Sequence, residues 1–309
     1  MLSNVSGFNV ASIFERVAQN VPDREAIICG DARLTYGEFD KRANRVAHYL
    51  QSVGIVKGDH VAIYAFNRIE WVEAMLACYK LCAVPVNVNY RYVEDELQYL
   101  LNDADVKAIV FEQQFGPLLA AIKQKLPTLK HYIAMEDGSG ASLAGLDCVD
   151  YGTVIAQQSD APLNIERSGD DLYVLYTGGT TGMPKGVVWR HEDVIMALGG
   201  GLDMTTGVPL ASAEIMADRC AQPNAFAMRS LQLAPLMHGA AQWGLLRALF
   251  EGGAVIFSDK KSFDADHVWQ LIGKEKANVM LITGDAMARP LMDAMNARAE
   301  TGEAYDLSS

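Results

Sequence analysis

The sequence predicts an α/β layered fold with largely parallel sheets flanked by helices. Strand-like and helix-like segments alternate along the whole length, the pattern expected of repeated β/α units. Half of the 309 residues are apolar, enough to bury a large core in one large or two ordinary domains. Capping residues and glycines punctuate the alternation and mark where elements begin and end.

Thr35 followed three residues later by Glu38 is a capping-box signature. Tyr36, Phe39, Ala43, Val46 and Leu50 then recur at helical spacing up to Gly54. A strand follows at Val61–Ala65, a helix from Trp71 to Cys82, and a short strand at Val84–Asn87. A helix near Glu94 to Ala104 leads into a strand at Lys107–Phe111, and a further helix and strand occupy Pro117 to Met135. Glu136 to Ser142 reads as a surface loop from its Gly, Ser and acidic content. Leu172–Leu175 and Val187–Trp189 read as strands, and Gly199 to Arg229 as irregular and methionine-rich, where Met204, Met216 and Met228 suit either an adaptable apolar pocket or core filling, the latter being the favoured reading. After a helix, Gly252-Gly253 breaks into a strand at Ala254–Phe257, and a later strand, Asn278–Ile282, ends at Thr283, Gly284 and Asp285.

Charge and cysteine usage narrow the partners. The net charge of −12 argues against a nucleic-acid footprint and against a polybasic membrane patch, and points to small-molecule partners. Five scattered cysteines in apolar runs suit reduced thiols in a cytoplasmic protein, and no His/Cys cluster completes a metal site with Cys78 and Cys82. Neither a signal-peptide core nor an apolar run long enough for a spanning helix is present. Oligomeric state is not encoded in these patterns.

The stretch Tyr176 to Gly186, with Thr177, Gly178, Gly179, Thr180, Thr181, Gly182, Lys185 and Gly186, carries the chemistry. Glycines let backbone N–H groups approach an anion, threonines add hydroxyl donors, and a lysine adds a mobile charge, a set suited to a triphosphate. A Walker A loop does not fit: Pro184 precedes Lys185, Gly186 follows it, and strands rather than a strand and a helix flank the loop.

A strand, T-G-G-T-T-G-x-P-K-G, then a second strand resembles the phosphate loop of adenylate-forming enzymes, the superfamily of acyl-CoA synthetases, luciferases and peptide-synthetase adenylation domains. Leu34-Thr35-Tyr36 with Glu38, Gly58-Asp59-His60-Val61-Ala62 and Ala83-Val84-Pro85-Val86-Asn87 resemble the early motifs of acyl-CoA synthetases in the same order. Trp189-Arg190 is similar to bacterial synthetases acting on long or bulky acids such as sterol side-chain carboxylates. Arg190 and His191 are open to two readings, a phosphate or CoA contact or an ordinary helix start with acidic residues in its first turn.

The resemblance implies an acyl-CoA synthetase that uses ATP, Mg²⁺ and coenzyme A to activate a carboxylic acid. Pro235 to Trp243 resembles the segment bordering the carboxylate, which makes His238 and Gly239 candidate substrate residues. Thr283, Gly284 and Asp285, at a strand's carboxyl end, are candidates for the acyl pocket, with Asp285 equally readable as a helix N-cap. The resembled enzymes continue well beyond the position of Ser309, through a Tyr-Gly-x-Thr-Glu-type motif, a ribose-binding Asp and a lid carrying the adenylation Lys. Residues 1–309 are therefore expected to form an N-terminal AMP-binding domain without that lid. No catalytic residue is assigned in them, and an inactive or weakly active fragment is expected. A noncatalytic nucleotide- or acyl-binding module, a luciferase-like enzyme and an amino-acid-activating enzyme are the alternatives.

Overall fold

A computed structural model describes residues 7–178, 182–203, 206–260 and 262–309. In chain order the elements are α1 (Val10–Asn20), β1 (Glu25–Cys29), β2 (Ala32–Thr35), α2 (Tyr36–Ser52), β3 (His60–Tyr64), α3 (Ile69–Lys80), β4 (Val84–Asn87) and α4 (Glu94–Asp103). Next come β5 (Val106–Glu112), α5 (Gly116–Ile122), β6 (His131–Met135), β7 (Cys148–Asp150), α6 (Tyr151–Gln157), β8 (Leu172–Thr177), β9 (Lys185–Arg190) and α7 (His191–Ala197). The chain continues through α8 (Ala213–Asp218), β10 (Arg229–Gln232), α9 (Gly239–Phe250), β11 (Ala254–Phe257), α10 (Ala265–Glu275), β12 (Val279–Leu281) and α11 (Gly284–Glu300).

Among the described residues the strands form two five-stranded sheets and a two-stranded ribbon. One sheet runs β12-β10-β11-β1-β2, the other β4-β3-β5-β6-β7, and the ribbon is β8-β9. Every pairing within the two large sheets is parallel except β1 with β2. The expected largely parallel α/β architecture is what forms.

Period-two alternation explains the layering. Val61 and Ile63 of β3 join Ile27, Val255 and Phe257 of the other sheet and helices α1, α2, α3 and α9 in one central core. Ala62 and Tyr64, one residue out of phase, point to the opposite face and pack with Leu97, Leu100 and Leu119 of α4 and α5. Ile28 and Ile256 likewise turn away from the centre, toward Val268, Leu271 and Leu291 of α10 and α11. The result is helix, sheet, helix, sheet, helix.

The capping box expected at the start of α2 forms: Glu38 N donates to Thr35 Oγ1 at 3.3 Å and Thr35 N donates to Glu38 Oε2 at 2.8 Å. α3 is buried on all sides, including two charged residues that find partners. Glu73 is held by Arg42, with Nη2 to Oε2 at 3.2 Å, and accepts from the Tyr151 hydroxyl at 2.6 Å. α1, β1, β2 and β10 go beyond the elements legible in the sequence. β10 lies in a polar-looking stretch whose Ser230 and Gln232 are nonetheless buried and bonded to each other. Met216 is buried in the central core and Met228 packs against it; Met204 lies outside the described residues.

His191 is a core residue. Its ring is fully buried, with Asn9 Nδ2 3.0 Å from Nδ1 and the Tyr79 ring edge-on at 4.8 Å. Arg190 spends its fork on Asp193 and Asp170, at 2.7 and 2.9 Å. The ordinary helix start is therefore the reading the geometry supports. Burial holds the His191 pKa down at about 4 against the ordinary histidine value of 6.5. The unfolded chain thus takes up a proton near 6.5 that the folded chain refuses until about 4, so stability falls as pH drops through that window. The loss expected from this ring alone is on the order of 3 kcal/mol. Guanidinium unfolding of the parent and His191→Gln between pH 7 and pH 4 should show a shallower decline in the variant; equal declines would refute the assignment.

Candidate functional site

The phosphate-type loop is the turn of the β8-β9 ribbon. The strands are antiparallel with Tyr176 opposite Gly186 and Thr177 opposite Lys185, so the loop joins two strands as the sequence implies. Gly179, Thr180 and Thr181 lie outside the described residues. Thr177, Gly178, Gly182, Lys185 and Gly186 are exposed.

The glycines serve different ends. A Cβ on Gly186 would sit 2.9 Å from the Tyr176 ring, so that position is glycine because an aromatic side chain lies across it. A Cβ on Gly178 or Gly182 would meet nothing within 4 Å, and neither takes a positive φ. Space above the backbone, rather than packing or a left-handed turn, distinguishes these two, and an approaching anion would use that space.

Asn87, 5% exposed at the end of β4, fixes the ribbon to the neighbouring segment. Its Oδ1 accepts from Tyr176 N at 2.8 Å, and its Nδ2 donates to Tyr176 O at 2.8 Å and to Met237 O at 2.6 Å. One side chain thereby holds the base of the loop beside His238. Asn67, just after β3, clamps the same segment: Nδ2 donates to Ala234 O at 3.0 Å, and Oδ1 accepts from Leu236 N at 2.7 Å.

His238 is the N-cap residue of α9, with extended backbone and an exposed side chain. Partial burial and the nearby Arg91 cation lower its pKa, which keeps the imidazole neutral at pH 7 and able to donate through one nitrogen. Gly239 is buried where a Cβ would come within 2.5 Å of Leu175 and 2.7 Å of the Trp243 ring, so the α9 N-terminus lies hard against β8.

A cleft of about 730 Å³ opens beside these residues. Phe66 and Arg68 after β3, Tyr90 and Arg91 after β4, Glu112 ending β5 and Asp137 after β6 form one side. Cys29 at the end of β1, Gln232 and Leu233 at the end of β10, Ser258 and Asp259 after β11 and Thr283 after β12 form the other. The cleft therefore lies where the carboxyl ends of two parallel sheets face each other, the place where open α/β sheets hold ligands. His238 and Thr283 line it; Gly239, Gly284 and Asp285 do not, Gly239 being buried and the other two exposed.

Thr283, not Asp285, occupies the N-cap position of α11, and its hydroxyl is 3.4 Å from Met287 Sδ. Asp285 is exposed in the first turn, where a carboxylate complements the helix dipole. At the opposite side of the cleft, Glu112 is 4% exposed; burial raises its pKa against the opposing pull of Arg68. Asn67, Asn87, Arg68 and Glu112 complete the site without a spaced motif. Their signal is a polar residue closing or just following an apolar strand. Among the described residues no group of three or more His, Cys, Asp or Glu side chains could hold a metal ion, and no helix is long and apolar enough to cross a membrane. All five cysteines are free thiols.

The family model described as AMP-binding enzyme matches residues 14–309. The chain is 42% identical over 302 residues to a 3-oxocholest-4-en-26-oate–CoA ligase from Rhodococcus rhodochrous, covering 97% of this chain and 54% of that one. It is 43% identical over 301 residues to a medium/long-chain-fatty-acid–CoA/3-oxocholest-4-en-26-oate–CoA ligase from Mycolicibacterium smegmatis, again covering 97% and 54%. The chain thus spans about half the length of the curated relatives it matches. Among solved structures, the inhibitor-bound N-terminal domain of FACL13 from Mycobacterium tuberculosis superposes with a TM-score of 0.71 at 27% identity, covering 88% of this chain and 62% of that one.

Proposed function

The chain belongs to the AMP-binding enzyme family, and we propose that it supplies the phosphate-binding and carboxylate-binding part of an acyl-CoA synthetase acting on medium- to long-chain or sterol-derived carboxylic acids. The observation that carries this reading is Asn87, which ties the loop strand to Met237, the cleft-lining residue next to His238. A triphosphate on the loop and a carboxylate beside His238 are thereby neighbours. A carboxylate oxygen attacks the α-phosphorus of ATP, forming an acyl-adenylate and releasing pyrophosphate. The thiol of coenzyme A then attacks the acyl carbon and AMP leaves.

Bringing an anionic acid to an anionic nucleotide is a problem of positioning and charge neutralisation. Thr177, Gly178, Gly179, Thr180, Thr181, Gly182, Lys185 and Gly186 are assigned to the β- and γ-phosphates. His238 is assigned to the carboxylate, with Gly239 allowing the close approach of α9 to β8. Thr283, Gly284 and Asp285 are assigned to the acyl side of the pocket. Mg²⁺, when bound with the nucleotide, would offset part of the charge of the β- and γ-phosphates. The five free thiols support a cytoplasmic setting.

Two titrations of the purified chain check this. Inorganic tripolyphosphate should bind, and Lys185→Ala should weaken it about tenfold, the value of one charge-assisted hydrogen bond. A long-chain acid should bind the cleft, and His238→Ala should weaken the acid while leaving tripolyphosphate unchanged. Absence of both ligands from the parent chain would overturn the reading.

A further inference from the structure

Arg68 and Glu112 bring charge into the cleft, and their arrangement bears on which acids it takes. The loop is anchored through β4, and the strand order from β4 is β3, β5, β6. Arg68 leaves the end of β3 but reaches outward: its Nη1 is 3.5 Å from Glu112 Oε1 at the end of β5, and its Nη2 donates to Glu136 O, just past β6, at 3.0 Å. With neighbouring strands about 4.8 Å apart, the guanidinium stands roughly 10 to 14 Å across the sheet from the loop's anchor.

The fork is fixed but not used up. Nε and Nη2 bond the Glu70 carboxylate at 2.8 and 2.9 Å, and Nη2 also serves Glu136 O. Nη1 carries two N–H groups, and among the described residues its partner is the Glu112 carboxylate at 3.5 Å, which is long for a hydrogen bond. A donor on a rigid, half-buried guanidinium therefore lines a cleft that also holds His238 and an apolar set, Phe66, Tyr90, Leu233, Pro235 and Met237, with Asn67, Arg91 and Gln232 as polar lining residues.

Building on the acyl-CoA synthetase reading above, we propose that Arg68 Nη1 is a specificity-determining donor for a neutral oxygen, a ketone or hydroxyl, at the end of the acid farthest from its carboxylate. A second carboxylate is disfavoured there because the Glu70 and Glu112 carboxylates already face the guanidinium. A bare methyl terminus strips water from the Arg68–Glu112 pair and returns no hydrogen bond. A rigid polycyclic acid with an oxygen at the far end meets both requirements: an apolar body for the walls and one acceptor for the guanidinium.

The test compares 3-oxocholest-4-en-26-oate with cholest-4-en-26-oate, identical but for the ketone, by equilibrium binding to the chain. The parent should prefer the keto acid about tenfold, the ratio given by one hydrogen bond to a charged donor. Arg68→Lys, which keeps the charge facing Glu70 but loses the fork, should bring the ratio to about one. Equal binding of the two acids by the parent would overturn the proposal and leave the synthetase reading standing, and needs no variant to fold. A keto preference undiminished in Arg68→Lys would overturn the role of Arg68. Failure of both acids to bind would instead count against the synthetase reading itself.

Discussion

Lys80→Met should destabilise the protein by about 3–5 kcal/mol, the penalty for leaving buried charges short of a partner. Lys80 is fully buried on α3, with its Nζ 2.6 Å from Glu15 Oε1 of α1 and 2.7 Å from Asp40 Oδ1 of α2. Arg167, in the segment leading to β8, holds the same Glu15 carboxylate at 2.7 and 3.0 Å. Burial pushes the Glu15 pKa up, but the Lys80 and Arg167 charges and hydrogen bonds outweigh it and hold it below the ordinary glutamate value. A depressed folded pKa means that the stability this carboxylate lends is present above its unfolded pKa and is lost as pH falls through the folded one. Methionine matches the volume of lysine but supplies no charge, so Arg167 must carry Glu15 alone. Asp40→Asn should cost about 1 kcal/mol, because that carboxylate retains contact with water. Urea or guanidinium midpoints at pH 7 decide the matter; a Lys80→Met variant within 1 kcal/mol of the parent would show that the cluster adds nothing.

The parts of the fold legible in the sequence are those where one local rule decides. Thr35 and Glu38 fix the start of α2, and the apolar run Val84–Asn87 sets β4 to the residue. What the sequence conceals is long-range. Ser230 and Gln232 look like loop residues until β11 and β12 flank them on either side. Val61 and Ala62 look alike, yet they serve two different cores. The loop is legible because its glycines and threonines are consecutive. Asn67 and Asn87 are far from it in sequence and are brought beside its base and the His238 segment by the pairing order of the second sheet, which carries Arg68 to the far end of the same cleft. Lys80 reads as a solvated helix residue; two carboxylate partners from distant segments, Glu15 and Asp40, make it a core residue. His191 misleads for the opposite reason. It follows a functional loop directly, but the ribbon's register turns it into the core.

Asn87→Ala should cost about 3 kcal/mol in stability and weaken tripolyphosphate binding about tenfold, although Asn87 is itself buried rather than presented on the loop. Removing its side chain leaves Tyr176 N, Tyr176 O and Met237 O without the bonds they make at 2.6 to 2.8 Å. These groups are enclosed, so water does not readily replace what is lost. Tyr176 keeps its hydroxyl bond to Asp103 Oδ2 at 2.8 Å and its ring over Gly186, so the ribbon should persist while its base loosens. Asn87→Asp separates geometry from bulk. A carboxylate still accepts from Tyr176 N but cannot donate, and it sets negative charge against two carbonyl oxygens. It should therefore be at least as damaging as alanine despite its near-identical shape. Hydrogen exchange at the Tyr176 amide, read beside tripolyphosphate affinity, checks the link: faster exchange with weaker binding is expected in both variants. Unchanged affinity alongside lost protection would mean that the loop's grip on phosphate does not depend on how its base is held.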